Sequence, residues 1–282
     1  MNSDKQISGN DEVADSTALA RSVPIRKDIE TAVYTKSTQG PLRVDITRPQ
    51  KDKSLHRLIV LIHGGGWVSG NRADMQEIAD YLAKKGFVAA SIDYRLVPRS
   101  HWPAQLEDAQ AAVRWLRQQA SKLDIDPSKV GAAGISAGGH LSSFLGSVDA
   151  KDVKSPLSRV QCVGSISGIH DLTSPLTKEG ETYGIVQGLI GEQGGVDKAQ
   201  RIKASPQTFY DTHTAATLYI QGTADPLVPA KQSLDANQTL KALGVDSKVI
   251  LVPDMAHGLT PRVANQAKAL DELAVWMELH LK

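Results

Sequence analysis

Gly134-Ile135-Ser136-Ala137-Gly138 is the stretch on which the fold turns. A serine with glycine two residues away on either side suits a sharp strand-to-helix turn that lifts its hydroxyl to the top of a sheet. Such a turn holds the serine in a strained backbone conformation. Only very small residues fit the flanking positions, because strand and helix crowd each other there. In a chain with 23 glycines the pentapeptide alone is a weak signal, and its context decides. Val130 to Ile135 reads as a strand running into the serine, and His140 to Ser147 continues the helix that follows it. That is the context the motif requires. The new helix sets its positive N-terminal end beside the serine oxygen, and the N–H of Ala137 is placed as an oxyanion donor.

Outward from this stretch the chain alternates. Ile29 to Thr35 and Leu42 to Thr47 predict an antiparallel hairpin around Thr38-Gln39-Gly40-Pro41. Strands follow at Leu58 to Ile62, Phe87 to Ile92, Val130 to Ile135, Gln161 to Ser167, Thr217 to Gln221 and Lys248 to Val252. Leu58 to Ile62 is solidly apolar, as a strand covered on both faces must be. Helical periodicity marks Ala73 to Lys84, Leu106 to Gln119, Ser233 to Leu243 and Val263 to Leu281. The expectation is an α/β fold with a mostly parallel eight-stranded sheet and helices on both faces. Residues 1–22 read as a polar leader and 23–282 as one catalytic domain. Thr173 to Tyr210 breaks the rhythm with glycine and polar residues and weak helices at best. An insertion of this length is expected to act as a small partial cap over a site.

Three further segments carry chemistry. His63-Gly64-Gly65-Gly66-Trp67 follows the first fully apolar strand. Its glycines free backbone N–H groups to converge on an anion, and Gly65 and Gly66 are the expected oxyanion donors. A plain glycine-rich turn or a phosphate cradle is the competing reading, but no Lys-Ser/Thr follows the glycines as a phosphate loop requires. His63 is expected to brace the loop rather than to act as a base. The base expected near the C-terminus is His257, in the loop after the last strand. His213 and His280 lie in less suitable places. The acid expected after the penultimate strand is Asp225, 32 residues before His257. Its role would be to fix the imidazole tautomer and stabilise the imidazolium. Asp171 is the runner-up, and Asp254 sits too near His257 along the loop. Arg95 and Asp108 are expected to pair beneath the site. Trp67 and Trp102 either wall the substrate pocket or pack in the core.

Composition narrows the function. The chain has 282 residues, a formal net charge of +1 and a single cysteine, Cys162, in an apolar run. This gives no reason to expect nucleic acid or a membrane surface as partner, excludes an internal disulfide, and favours a buried inert thiol. No apolar run approaches transmembrane length. The leader lacks the layout of a signal peptide, so the expected location is the cytoplasm, or outside the cell if a signal preceded this chain. No metal or other cofactor is expected. Monomer and homodimer both remain open.

Taken together, these segments resemble an α/β-hydrolase of the hormone-sensitive-lipase-like bacterial esterase group. Within it they are most similar to small esterases related to bifunctional feruloyl and acetyl-xylan esterases. The matching pieces are HGGGW at His63 to Trp67, DYRLVP at Asp93 to Pro98, WPAQLEDAQAAVRWL at Trp102 to Leu116, GISAGG at Gly134 to Gly139, GTADPLVP at Gly222 to Pro229 and AHG at Ala256 to Gly258. The resemblance implies a serine carboxylesterase acting on short-acyl esters, with acetylated or feruloylated carbohydrates as candidate substrates. It implies Ser136, Asp225 and His257 as the triad, with Gly65, Gly66 and Ala137 as oxyanion donors. Gln221 departs from the pattern, since relatives often carry histidine there, and is expected to matter little for the chemistry. An arylformamidase-type amide hydrolase is the alternative enzyme. A non-catalytic ligand-binding relative is the alternative outside enzymes, although such relatives lose the histidine that is present here.

Overall fold

The computed structural model describes residues 29–49, 55–147, 158–174, 180–191 and 198–282. The polar leader over residues 1–22 lies outside them. Strands β1 (Ile29–Ser37) and β2 (Gly40–Thr47) form the antiparallel entry hairpin. Gly40, at φ +107°, closes it in a conformation that glycine adopts without strain. The chain then runs β3 (His56–Ile62), α1 (Gln76–Lys84), β4 (Val88–Ile92), α2 (Ala104–Gln118), α3 (Ala120–Leu123), β5 (Ile125–Ile135), α4 (Ala137–Ser147) and β6 (Cys162–Ile166). It continues through α5 (Gly180–Ile190), α6 (Lys198–Lys203), β7 (Ala216–Gly222), α7 (Lys231–Ala242), β8 (Ser247–Val252) and α8 (Ala264–His280). The eight strands form one sheet in the order β1-β2-β4-β3-β5-β6-β7-β8. β2 meets β4 antiparallel, and every pair from β4 to β8 is parallel.

The solid apolar run of β3 is explained by what covers it. Leu58, Val60 and Ile62 face a core shared with Leu106, Ala109 and Val113 of α2 and Leu141 and Phe144 of α4. Ile59 and Leu61 face the opposite core, with Ile78 and Leu82 of α1 and Leu270, Leu273 and Met277 of α8. Successive side chains point to opposite faces, so a strand buried on both cannot alternate in polarity. Each such aliphatic side chain contributes about 1.5–3 kcal/mol on burial. Cys162 lies in the α1–α8 core, and burial pushes its thiol pKa up, as an inert thiol requires.

Parallel pairing decides where function can sit. Ile62 of β3 is level with Gly134 of β5, Ile135 of β5 with Ile166 of β6, and Gly222 of β7 with Val252 of β8. The loops after β3, β5, β7 and β8 therefore leave the same edge of the sheet, where open α/β sheets bind ligands.

The helix expected from Ala73 opens as a 3-10 turn over Arg72–Met75 before α1, α3 is unexpected, and β5 and the insertion also differ from the sequence reading. β5 begins at Ile125, not Val130. Ile125 pairs with His56, and the register shifts before Leu58 meets Val130. Asp126-Pro127-Ser128 lies within the strand at this irregularity, with Asp126 Oδ1 accepting from Ser128 N at 2.9 Å and from Ser128 Oγ at 2.6 Å, and its polar and proline residues read as a break. Within the insertion, α5 is a full eleven-residue helix. Gly184 and Gly188 lower its propensity, but Val186 and Leu189 are fully buried, and burial outweighs propensity. Residues 175–179 and 192–197 of the insertion lie outside the described residues.

Candidate active site

Ser136 stands between β5 and α4 at φ +56°, in the left-handed region. Its N–H donates to Ile166 O at 2.8 Å, and its carbonyl accepts from His140 N at 3.0 Å. The flanking glycines are enforced by space. A Cβ on Gly138 would fall 1.9 Å from Ile62 O, and one on Gly134 would fall 2.4 Å from Gly138 O. Ala137 opens α4, where the first N–H groups of a helix have no partner within the helix.

The loop after β3 brings Gly65 (φ +98°) and Gly66 (φ +59°) to the same place. Gly65 O accepts from Val68 N at 3.0 Å and Ser69 N at 3.1 Å, which folds the loop back on itself. A Cβ on Gly65 would fall 2.3 Å from Ser69 O, so the turn excludes any other residue. His63 is buried and stacks on Tyr94, with ring centroids 4.2 Å apart. Its Nδ1 donates to Gly64 O at 2.7 Å, and the Tyr94 hydroxyl donates to His63 O at 3.1 Å. Burial lowers the His63 pKa, which keeps a neutral imidazole as a brace. Beneath the loop, Arg95 Nε donates to Asp108 Oδ2 at 2.7 Å.

Asp225 and His257 meet across the loops after β7 and β8. His257 Nδ1 lies 2.9 Å from Asp225 Oδ2 and 3.1 Å from Oδ1. The Asp225 side chain is fully buried and that of His257 is 21% exposed, so the imidazole reaches the cavity and the carboxylate does not. Asp225 Oδ1 also accepts from Leu227 N and Val228 N, both at 2.9 Å. Gln221 Nε2 donates to Oδ2 at 3.0 Å. Burial raises the Asp225 pKa, but the bond from His257 and the N–H groups of Val228 and Leu227 outweigh it and hold the carboxyl below its ordinary value. A carboxylate bonded to Nδ1 fixes the proton there and leaves Nε2 as the free acceptor.

Ser136, His257, Gly65, Gly66 and Trp67 line one cavity of about 270 Å³. Its remaining wall is largely apolar, from Val68, Ile169, Leu227 and Val228 with Thr182 and Ile185 of α5. α5 is tied down at both ends. Thr182 Oγ1 donates to Leu227 O at 2.8 Å, and Trp102 N donates to Leu189 O at 2.9 Å.

Trp102 needs correction as a pocket residue. It is absent from the cavity lining, and its ring packs on Phe144 and His140 at centroid distances of 4.7 and 5.4 Å. An aromatic beside a motif looks alike in sequence whether it walls a pocket or fills a core. Trp67 does contribute to the lining, but its side chain is fully buried and turned to His140. Asp171 accepts from Thr173 N and Oγ1 in a local turn, remote from His257 in its bonding. His280 lies beside Asp246, and the backbone N–H of His213 donates to Asp211 Oδ1 in a local turn.

Sequence reasoning missed Thr182 and Ile185 and underweighted Gln221. The signal for Gln221 was its place at the end of β7, four residues before Asp225. Buried there, its amide joins Asp225 Oδ2, Val228 O and Ser233 Oγ at 3.0, 2.9 and 3.1 Å.

The sheet order, the strained serine at the head of α4 and the glycine loop beside it define an α/β-hydrolase. A family model described as BD-FAE matches residues 44–240, and the chain belongs to that family, within the α/β-hydrolase esterase group. Among curated proteins it is similar to the esterase LipC of Mycobacterium tuberculosis, 28% identical over 211 residues, which cover 71% of this chain and 52% of that one. The chain thus spans about half the length of this relative. A solved structure of a truncated carbohydrate esterase from gut microbiota superposes with a TM-score of 0.75 at 26% identity, covering 92% of this chain and 99% of that one. Thermogutta terrifontis esterase 2 phosphorylated by paraoxon gives 0.74 at 25% identity, covering 90% and 95%. Among the described residues no helix is long and apolar enough to cross a membrane.

Proposed function

We propose that this protein is a serine carboxylesterase that hydrolyses short-acyl esters through an acyl-enzyme. The observation that carries the proposal is the convergence, on one cavity, of a strained Ser136 and a His257 whose Nδ1 is held by a buried carboxylate. Ser136 Oγ attacks the ester carbonyl carbon as His257 Nε2 takes its proton. The carbonyl oxygen becomes an oxyanion held by the N–H groups of Gly65, Gly66 and Ala137, each contributing about 3 kcal/mol to the transition state. Collapse expels the alcohol, which receives the proton from His257. Water then attacks the acyl-enzyme, with His257 again as base, and releases the acid.

The cavity favours small acyl groups. About 270 Å³ lies at the lower end of small-molecule pockets, and Ile169, Ile185, Leu227 and Val228 close it with apolar surface. The likeness to a carbohydrate esterase supports acetylated or feruloylated sugars as the alcohol side. The test is a panel of p-nitrophenyl esters of rising acyl length with acetylated xylan, methyl ferulate and N-formylkynurenine. Ser136→Ala accompanies it, with covalent labelling by a fluorophosphonate. Activity on short esters, lost in Ser136→Ala together with the label, is expected. A folded Ser136→Ala protein of near-normal rate would overturn the assignment. So would a wild-type protein that neither turns over an ester nor takes the label.

A further inference from the structure

The loop that carries Gly65 and Gly66 ends on Trp67, and α4 carries His140 one turn after Ser136. Both side chains are fully buried. Their rings meet edge to face, with centroids 4.9 Å apart and planes at 79°. His140 Nε2 lies 2.8 Å from Ala204 O, so Nε2 holds the proton and donates, and Nδ1 presents a lone pair. Burial pushes the His140 pKa down to about 4, so the ring is neutral near pH 7. Trp67 Nε1 and His140 Nδ1 are each buried without a hydrogen-bond partner among the described residues. The first is only a donor and the second only an acceptor. Left unmet, each costs about 1–3 kcal/mol.

We propose that Trp67 Nε1–H and His140 Nδ1 are joined through one shared water, and that His140 is thereby a positioning residue for the oxyanion loop. The inference rests on the roles proposed above for Gly65, Gly66 and Ser136. The link has a mechanical use. Trp67 sits at φ +62°, a conformation that its surroundings must hold. One restraint is the bond from Val97 N to Trp67 O at 3.0 Å. The second is His140, whose own N–H donates to Ser136 O at 3.0 Å. Loop and nucleophile are thus referenced to one helical turn, which fixes the distance between the attacking oxygen and the oxyanion donors.

Two conservative variants separate the two sides of the imidazole. Asparagine keeps an acceptor where Nδ1 stood and gives up the Ala204 contact. Glutamine keeps a donor where Nε2 stood and gives up the acceptor toward Trp67. For p-nitrophenyl acetate, His140→Gln is expected to lower kcat roughly tenfold at nearly unchanged KM, as misplaced donors do, and His140→Asn to lose clearly less. Trp67→Phe keeps a ring, removes the N–H and should match His140→Gln, with the double variant no slower than either. The direct readout is the ¹⁵N–¹H resonance of the Trp67 indole, assigned by its loss in Trp67→Phe. It should shift in His140→Gln and hold in His140→Asn. Equal kcat in the two His140 variants, or an indole resonance indifferent to both, overturns the link. If a histidine variant does not fold, Trp67→Phe at wild-type kcat overturns it equally. An active Ser136→Ala would instead break the site reading, while the indole resonance still reports on the link alone.

Discussion

Asp225→Asn exchanges one oxygen for an NH2 group of the same size and should silence the protein while leaving it folded. Two backbone donors decide how the new side chain sits. Leu227 N and Val228 N both point at Oδ1 from 2.9 Å, so the asparagine carbonyl must occupy that position. Its NH2 then takes the place of Oδ2, which now accepts from Gln221 Nε2 at 3.0 Å and His257 Nδ1 at 2.9 Å. A donor would face two donors. Gln221 keeps its bond to Val228 O at 2.9 Å, so the stability loss is confined to one unmet donation, about 1–3 kcal/mol. His257 has a different way out, which is to move its proton from Nδ1 to Nε2 and accept from the asparagine. That tautomer cannot take the Ser136 proton. In triads of this kind the same exchange lowers kcat by about 10⁴, equivalent to about 5.5 kcal/mol at 1.36 kcal/mol per decade. The assay is kcat and KM on p-nitrophenyl acetate beside thermal unfolding of both proteins. A variant within about tenfold of wild-type kcat, or one whose loss lies wholly in KM, would refute the tautomer argument.

Acid titration gives a second test. The Asp225 pKa is lowered in the folded state, so its ionisation contributes stability that is fully present above the ordinary carboxylate value, about 3.9, and lost as pH falls through the lower folded value. In urea unfolding the stability gap between wild type and Asp225→Asn should therefore be widest near pH 7 and narrow below about pH 4, and a gap that widens on acidification contradicts the network. Glycine substitutions should split by location. Gly138→Ala places a Cβ 1.9 Å from Ile62 O and should prevent soluble expression or collapse the thermal midpoint. Exposed Gly184 in α5 has nothing within 4 Å of a Cβ, so Gly184→Ala should stabilise by roughly 0.5–1 kcal/mol.

The legible parts of the chain are those where backbone geometry restricts residue type. Gly134 and Gly138 show in sequence because no Cβ fits between β3, β5 and α4. The loop at His63 to Trp67 shows because its turn needs positive φ at Gly65 and Gly66. β3 shows because both its faces are buried. The less legible parts depend on contacts between distant segments. Ile185 lies 2.9 Å from where a Cβ on Gly66 would be, yet nothing in the glycine-bearing α5 sequence announces that it closes a cavity. Gln221 reads as an ordinary strand-end amide, and its importance appears only when Asp225, Val228 and Ser233 surround it.

What unites the legible and the hidden residues is the kind of support they give. Around the cavity the groups that hold geometry are backbone N–H groups, the Gln221 amide, the Tyr94 hydroxyl and the buried His63 and His140 rings. Burial lowers the pKa of both rings and raises that of Tyr94, so all three stay neutral through the ordinary pH range. Neutral supports in a dry setting carry fixed dipoles without adding a charge that would compete with the oxyanion or the imidazolium. The buried charge beside His257 is Asp225, and its Oδ1 is spent on backbone N–H groups that cannot titrate or rotate away. The negative charge therefore stays beside His257, where the proposed mechanism builds positive charge, and apart from the donors proposed around Ser136 to meet the oxyanion.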